Sequence, residues 1–285
     1  MTTNIRAACV IGWPVEHSRS PLIHNYWLKR YGIAGEYRRE AVPPEEFAAF
    51  VGSLAARGYV GANATLPHKE AALALSQPDE RARVVGAANT LWLDDGILRS
   101  TNTDVEGFLD NLDASAPDWD RALRKAVVLG AGGAARAVIY GLLTRGVERI
   151  VLVNRTRERA EALRQVFGTR IEATRWEDLD AALTGAALLV NTTSLGMQGQ
   201  PALAIDLTRL PDSAVIADLV YAPVVTPLMA AAEARALRIA DGLGMLLHQA
   251  VRGFALWFGT TPAVTPELRA LVEADLALPQ RGNSA

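Results

Sequence analysis

The stretch VVLGAGGAARAV, residues 127–138, decides how this chain is read. An apolar, β-branched run stops at glycines, and a helix-forming segment follows. Gly130, Gly132 and Ala135 make a G-x-G-x-x-A pattern, with Gly133 adding freedom. The first glycine permits a tight turn, and the second lets backbone approach a pyrophosphate. The small third residue lets the helix pack closely on its strand. The helix start then directs N–H groups at the phosphates. With a strand before it and a long helix after it, the segment Gly130, Ala131, Gly132, Gly133, Ala134, Ala135 reads as a dinucleotide-binding turn. Such turns often sit near a chain's N-terminus. Here 126 residues precede the stretch, and their content has to say what a cofactor would be used on.

Around the turn, short apolar runs alternate with helical segments: KAVVLG, RIVLVN, AALLVN and AVIADLV, with AARAVIYGLLTRG and RERAEALRQVFG between the first three. This alternation predicts a parallel sheet covered on both faces, over about 104–241. The first 103 residues repeat it in another register. RAACVIG, GEYRREAV and YVGANATL read as strands. SPLIHNYWLKRYG, PEEFAAFVGSLAARG and HKEAALALS read as helices. Residues 242–285 are mainly helical with no strand partner nearby and are expected to return to the first domain. The expected fold is α/β with two domains: a doubly wound, Rossmann-type dinucleotide domain inserted into an α/β substrate domain, with a cleft between them.

The bulk numbers narrow the function. A formal charge of -2 over 285 residues, with sequence pI ≈ 6.1, gives no basic field for nucleic acid. No apolar run approaches the roughly 18 residues of a membrane span. AACVIGW, ended by Pro14, reads as a strand rather than a signal peptide. One cysteine, Cys9, excludes an intramolecular disulfide, and with four scattered histidines no zinc cluster or other metal site is expected. These readings point to a cytoplasmic protein acting on a small molecule, without nucleic-acid or membrane partners. They leave monomer and homodimer both open.

The strand RIVLV ends in Asn154, Arg155 and Thr156, with Arg159 a turn further on. An NAD-preferring site usually carries a carboxylate there for the ribose 2′-hydroxyl. Two guanidiniums and a hydroxyl suit a 2′-phosphate instead, so NADP is the expected cofactor.

Three segments of the first domain are too polar for ordinary core or loop. EHSRSP places Ser18 and Ser20 between a strand and a helix, with Pro21 at the helix start. GANATLPHKE delivers Asn63 and Thr65 at a strand end and Lys69 in the first turn of a helix. AANTLW and STNTDVEG supply Asn89, Thr103 and Asp104. In open α/β sheets ligands sit beyond the carboxyl ends of strands, which is where these segments fall.

In order, the motifs HSRSP, GAN-T-PHKE, GAANTL, NTD, GAGGAARA, NRT and DGLGMLLHQA span nearly the whole chain, which thereby resembles the shikimate dehydrogenase family. The resemblance implies a two-domain α/β enzyme of aromatic amino-acid (chorismate) biosynthesis that interconverts shikimate and 3-dehydroshikimate with NADP. It also implies roles by position. Ser18 and Ser20 would bind the substrate carboxylate, with Tyr221 alongside. Asn63, Thr65, Asn89 and Gln249 would contact ring hydroxyls or order the site. Lys69 and Asp104 would be the catalytic pair. Leu219 and Gly242 would lie on the cofactor, Gly242 near its nicotinamide end. Three positions depart from the pattern: Trp13 where a small polar residue is common, Ala64 for a bulkier apolar one, and TDVEG for TDG.

The chemistry is consistent with these residues. Ketone reduction needs a hydride on carbon and a proton on oxygen. The positive end of a helix disfavours the Lys69 ammonium while a neighbouring Asp104 favours it, so the pair could exchange a proton near working pH. His68 reads as a packing residue, and His17, His24 and His248 as structural. Two further readings stand beside this one: a quinate/shikimate dehydrogenase of broader substrate and cofactor range, and a non-catalytic NADPH-binding sensor. A glutamyl-tRNA reductase shares an NRT signature but needs a nucleophilic cysteine, and Cys9 lies inside an apolar strand.

Overall fold

Short apolar runs alternating with helical stretches fold here as two six-stranded sheets. The computed structural model describes residues 5–121 and 123–278. They form two compact units. The first takes in the described residues up to Glu106 together with Leu247–Val272, and the second Gly107–Leu246 and the described residues from Glu273 on.

The first unit is built on β1 (Arg6–Gly12), α1 (Ser20–Arg30), β2 (Gly35–Ala41), α2 (Phe47–Gly52), β3 (Tyr59–Ala64), α3 (Lys69–Ala74), β4 (Gln77–Pro78), α4 (Glu80–Val85), β5 (Thr90–Asp94) and β6 (Ile97–Thr101). Its helix α5 (Asp104–Ser115) continues into the second unit. The sheet order is β2-β1-β3-β5-β6-β4. β1 pairs in parallel with β2 and β3, whereas β5 runs antiparallel to both β3 and β6. Asp95 and Gly96, both at positive φ, close the β5–β6 hairpin, as an Asp-Gly turn should. Helix α1 has Pro21 in its first turn and Lys29 and Arg30 in its last, and Gly32 at φ +63 follows.

One element differs from expectation. The spacing over residues 44–58 predicts a single amphipathic helix. The structure has a 3₁₀ turn, Pro44–Glu46, then the six-residue α2, then turns. The Ser53 hydroxyl bonds back to the carbonyls of Ala49 (3.0 Å) and Phe50 (2.9 Å), and its N–H also goes to Phe50. A serine competing for helix carbonyls at Gly52-Ser53 tightens the chain out of the α-helix. The apolar face survives: Phe47, Phe50, Val51 and Leu54 stay in the core with Cys9, Ile11 and Leu91.

The second unit alternates strand and helix, save that only a 3₁₀ turn (Leu207–Arg209) separates β10 from β11: β7 (Lys125–Leu129), α6 (Gly133–Thr144), β8 (Arg149–Val153), α7 (Arg157–Phe167), β9 (Ile171–Thr174), α8 (Leu179–Leu183), β10 (Leu188–Asn191), β11 (Val215–Asp218), α9 (Pro227–Ala234) and β12 (Arg238–Ala240). All neighbours pair in parallel, in the order β12-β11-β10-β7-β8-β9. That is the doubly wound order 3-2-1-4-5-6, with its switch point between β7 and β10. Successive residues serve opposite faces. Val127 and Leu129 join a cluster with Leu189 and Ile216, while Ala126 and Val128 join one with Val138 and Leu152.

Helix α10 (Gly242–Phe258) and helix α11 (Pro266–Ala277) follow. The part of α10 from Leu247 on belongs to the first unit, where its tryptophan is keyed to the sheet. Trp257 Nε1 donates to the Leu91 carbonyl at 2.8 Å. Gly61 makes room for the ring, since a Cβ there would stand 2.2 Å from Trp257 Nε1 and 2.3 Å from the Leu91 oxygen. From α1, Trp27 Nε1 donates to the Ala263 carbonyl at 3.0 Å. Among the described residues no helix is long and apolar enough to cross a membrane.

His24 lies among these rings, fully buried and stacked on Tyr37 at 4.1 Å, with neither ring nitrogen hydrogen-bonded. Burial pushes its pKa down from 6.5 to about 3. The folded value lies below the ordinary one, so protonation favours unfolding, and stability falls as pH drops from about 6.5 towards 3. His24→Leu removes this loss. Chemical unfolding at pH 7 and pH 4 should show the variant losing about 3 kcal/mol less than wild type between the two.

Candidate active site

In the first unit the carboxyl ends of β1 and β3, the amino end of the antiparallel β5 and the start of α5 carry one polar network. Gly12 ends β1 without a side chain because its Cβ would lie 2.6 Å from Thr65 Cγ2. The serine loop after β1 and the Thr65 turn after β3 are thereby brought together. Ser18 Oγ accepts from the Ser20 N–H at 3.3 Å, and Arg39 of β2 donates twice to the Ser18 carbonyl, at 3.1 and 2.7 Å. Thr65 is half-buried. Trp13 is half-exposed, its N–H bonded to the Leu66 carbonyl at 3.1 Å, while Ala64 is buried in the core.

Asn63 is buried at the end of β3. Its Nδ2 donates to the Asn89 carbonyl (3.0 Å) and to Thr90 Oγ1 (3.1 Å), which leaves its Oδ1 to accept from the Tyr37 hydroxyl at 2.5 Å. Burial holds the Tyr37 phenol well above the usual range and therefore neutral. Asn89, just before β5, donates from Nδ2 to Asp104 Oδ1 at 2.9 Å. The other carboxylate oxygen, Asp104 Oδ2, accepts from Lys69 Nζ at 2.6 Å, with the two side chains 17% and 30% exposed. Asp104 is set by its own loop, since its backbone N–H goes to Asn102 Oδ1 at 3.0 Å. Gln249, half-buried on α10, has its Oε1 3.5 Å from Thr103 Oγ1.

A continuous path of hydrogen bonds therefore runs from Tyr37 through Asn63, Thr90 and Asn89 to Asp104 and Lys69. Tyr37 and Thr90 were missed as site residues in the sequence reading. Tyr37 is a lone aromatic in a polar strand, GEYRREA, and that was the available signal. His68 stands beside Lys69 but is buried, stacked on Phe47 at 4.3 Å and bonded to the Val42 carbonyl at 2.8 Å. Burial lowers its pKa, against the opposing hydrogen bond to Val42, and the ring serves packing.

The second unit carries the glycine turn at its switch point. Gly130 adopts φ +97, and a Cβ there would meet Thr192 Oγ1 at 2.8 Å. Thr192 itself donates to the Leu129 carbonyl at 2.6 Å, tying the loops after β7 and β10 together. Gly132 is the N-cap of α6 with no side-chain cap, and a Cβ on Gly132 or Gly133 would face open space. The first N–H groups of a twelve-residue helix are thus left open above bare backbone. Ala134 follows in the first turn, and Ala135 is fully buried against the sheet.

Past β8, Asn154 Nδ2 donates to the Thr156 carbonyl at 2.7 Å, while Arg155, Thr156 and Arg159 are exposed at the start of α7. Arg155 lines a cavity of about 460 Å³ with Arg157 and with Arg175, which lies just beyond β9 and is not singled out in the sequence; Glu158, Glu177 and Asp178 line it too. Leu219 N–H bonds the Asn191 carbonyl, and Gly242 is fixed as glycine by the Leu219 oxygen, 2.5 Å from where a Cβ would stand. Tyr221, in the same unit, lines a cavity of about 600 Å³ with Gln198, Pro223 and Leu276.

Comparison with known proteins agrees with this layout. Residues 10–91 match a family model described as the shikimate dehydrogenase substrate binding domain, 115–202 one for shikimate / quinate 5-dehydrogenase, and 242–271 one for the shikimate 5'-dehydrogenase C-terminal domain. A shikimate dehydrogenase (NADP(+)) of Rhodopseudomonas palustris (strain TIE-1) is 69% identical over 97% of this chain and 99% of its own. The structure of the shikimate 5-dehydrogenase of Thermus thermophilus in complex with NADP(H) and shikimate is 35% identical, with a TM-score of 0.82 over 95% of this chain and all of that one. A quinate dehydrogenase from Corynebacterium glutamicum in complex with NAD is 30% identical, with a TM-score of 0.88 over 95% of this chain and 99% of that one. With an ordered polar network in its first unit and an open glycine turn in its second, the chain belongs to the shikimate dehydrogenase family.

Proposed function

We propose that the protein is an NADP-dependent shikimate dehydrogenase of aromatic amino-acid biosynthesis, reversibly reducing 3-dehydroshikimate to shikimate in the cytoplasm. The observation that carries this reading is the Lys69–Asp104 contact at 2.6 Å, set among buried amides at the ends of the first sheet's strands. Bound here, the reduced cofactor NADPH would supply the hydride for reduction and the oxidised NADP+ would take it up in oxidation. The open, side-chain-free start of α6 suits its pyrophosphate, and Arg155, Thr156 and Arg159 suit a 2′-phosphate, with Asn154 holding their loop. Leu219 and Gly242 line the approach to its nicotinamide end.

Both oxygens of Asp104 already accept hydrogen bonds, one from Asn89 and one from Lys69. The carboxylate is therefore held as an anion, and the proton that moves is the one on Lys69. In reduction the Lys69 ammonium gives its proton to the ketone oxygen as hydride reaches carbon. In oxidation the amine takes the proton from the hydroxyl. Asp104 stabilises and aims the ammonium throughout. Ser18 and Ser20 hold the substrate carboxylate, with Tyr221 as a further contact. Asn63, Thr65, Asn89 and Gln249 address the ring hydroxyls, and the amides of Asn63 and Asn89 are oriented by the network before the ligand arrives.

The decisive assay follows NADPH absorbance with shikimate or quinate, each with NADP or NAD. Turnover with shikimate and NADP alone is expected. Comparable turnover with quinate or NAD would instead mark a broader quinate/shikimate enzyme. Binding of NADPH without turnover in any mixture would mark a sensor.

Two variants test the residue roles. Lys69→Ala should lower kcat by about 10²–10⁴-fold while its melting temperature stays near that of wild type. Arg155→Ala should lose roughly 10–100-fold in kcat/KM with NADP and little with NAD, as expected for one charge-assisted hydrogen bond.

A further inference from the structure

Asn89 can offer Asp104 an N–H only if its carboxamide is turned the right way, and an amide is nearly symmetric in shape. Its neighbours decide. The Thr103 backbone N–H, which can only donate, lies 2.8 Å from Asn89 Oδ1. The hydroxyls of Thr90 and Thr103 each lie 3.1 Å from the same oxygen. Thr90 Oγ1 accepts from Asn63 Nδ2, whose own direction is set by the Asn89 carbonyl, so the Thr90 proton goes either to Asn89 Oδ1 or to Thr103 Oγ1, 3.2 Å away, which can in turn donate to Asn89. Both threonines are completely buried.

We propose that Thr90 and Thr103 are positioning residues for proton transfer. They hold the Asn89 oxygen, fix its NH₂ on Asp104 Oδ1, and keep Asp104 an anion with Oδ2 on Lys69. This rests on the reading of Lys69 and Asp104 given above. A flipped Asn89 would set its oxygen 2.9 Å from Asp104 Oδ1, two acceptors with no proton between them unless Asp104 took one up. That proton would turn Asp104 from an anion into a neutral acid and weaken its hold on Lys69. Removing the threonine hydroxyls therefore favours the flipped, protonated form as pH falls. Lys69 from α3 is the ionisable group bonded to Asp104. Nearby, Glu106 of α5 is paired with Arg81 of α4 and Arg252 of α10, and the threonine substitutions leave that trio intact.

The test compares Thr90→Val, Thr103→Val, the matching Thr→Ser variants, and each Thr→Val change in an Asn89→Ala background. kcat and KM for shikimate with NADP are followed across pH, and melting temperature reports folding. Each valine variant is expected to lose about 5–20-fold in kcat with KM within about threefold, and the acid limb of its kcat profile should move to higher pH. Serine should restore both. Without Asn89 there is no amide to orient, so the valine changes should cost little more there. Thr103→Ala and Thr90→Ala replace any valine variant that fails to fold, with the same expectation.

Valine variants with wild-type kcat and pH profile would overturn the proposal. So would serine variants as poor as valine, or full additivity with Asn89→Ala, either of which marks a packing role. If Lys69→Ala itself kept wild-type turnover, the catalytic reading beneath the proposal would fall with it. Crippled Lys69→Ala beside unaffected threonine variants would overturn the proposal alone.

Discussion

The carboxamide of Asn89 is the constraint on which the first unit's chemistry depends. Its backbone carbonyl accepts from Asn63 and from the Ala64 N–H, and its own N–H reaches the Thr101 carbonyl. Its side chain joins Thr90, Thr103 and Asp104. One residue thus links β3, β5, β6 and the start of α5. Buried polar groups are costly unless every donor and acceptor is matched. Here matching them forces one orientation on each amide in turn, so geometry at Lys69 is inherited from packing several residues away.

The second unit solves a different problem with backbone rather than side chains. Its switch point between β7 and β10 leaves a crevice that Gly130 keeps narrow and Gly132 and Gly133 keep bare. The adjacent strand β11 ends in Asp218, buried and bonded by Asn191, Thr226 and the Val220 N–H. Burial raises that carboxyl above the usual range and these hydrogen bonds oppose the shift. Its contacts are all within the fold, and it anchors the loop carrying Leu219 rather than facing a ligand.

Much of this was legible in the sequence, and the reasons differ by residue. The glycine turn and the NRT segment declare themselves because backbone approach and phosphate binding restrict residue type at fixed spacing. Lys69, Asn89 and Asp104 stand out because polar residues at strand ends have little structural reason to cluster. Tyr37 does not, since a tyrosine in a strand packs well whether or not its hydroxyl is used. The β5–β6 hairpin does not declare itself, although Asp95-Gly96 signals its turn, because each of its strands is only five residues long. The break after α2 was invisible for another reason. The apolar spacing of Phe47, Phe50, Val51 and Leu54 continues through it, and only the Ser53 hydroxyl bonds reveal the change.

The slot at Gly61 has a consequence for how the chain is made. The first unit's sheet is written in the first 106 residues, but the tryptophan that fills the slot is residue 257, in the second piece of that unit. On a ribosome adding about 5–20 residues per second, the intervening 140 residues, 107–246, take on the order of ten seconds to appear. During that interval Trp27, His24 and Tyr37 have no Phe254 or Trp257 to pack against. The body of the second unit, residues 107–246, can fold during that interval, with its piece from Glu273 on still to come. The domain that begins the chain must wait for its own second piece until the body of the other has been made.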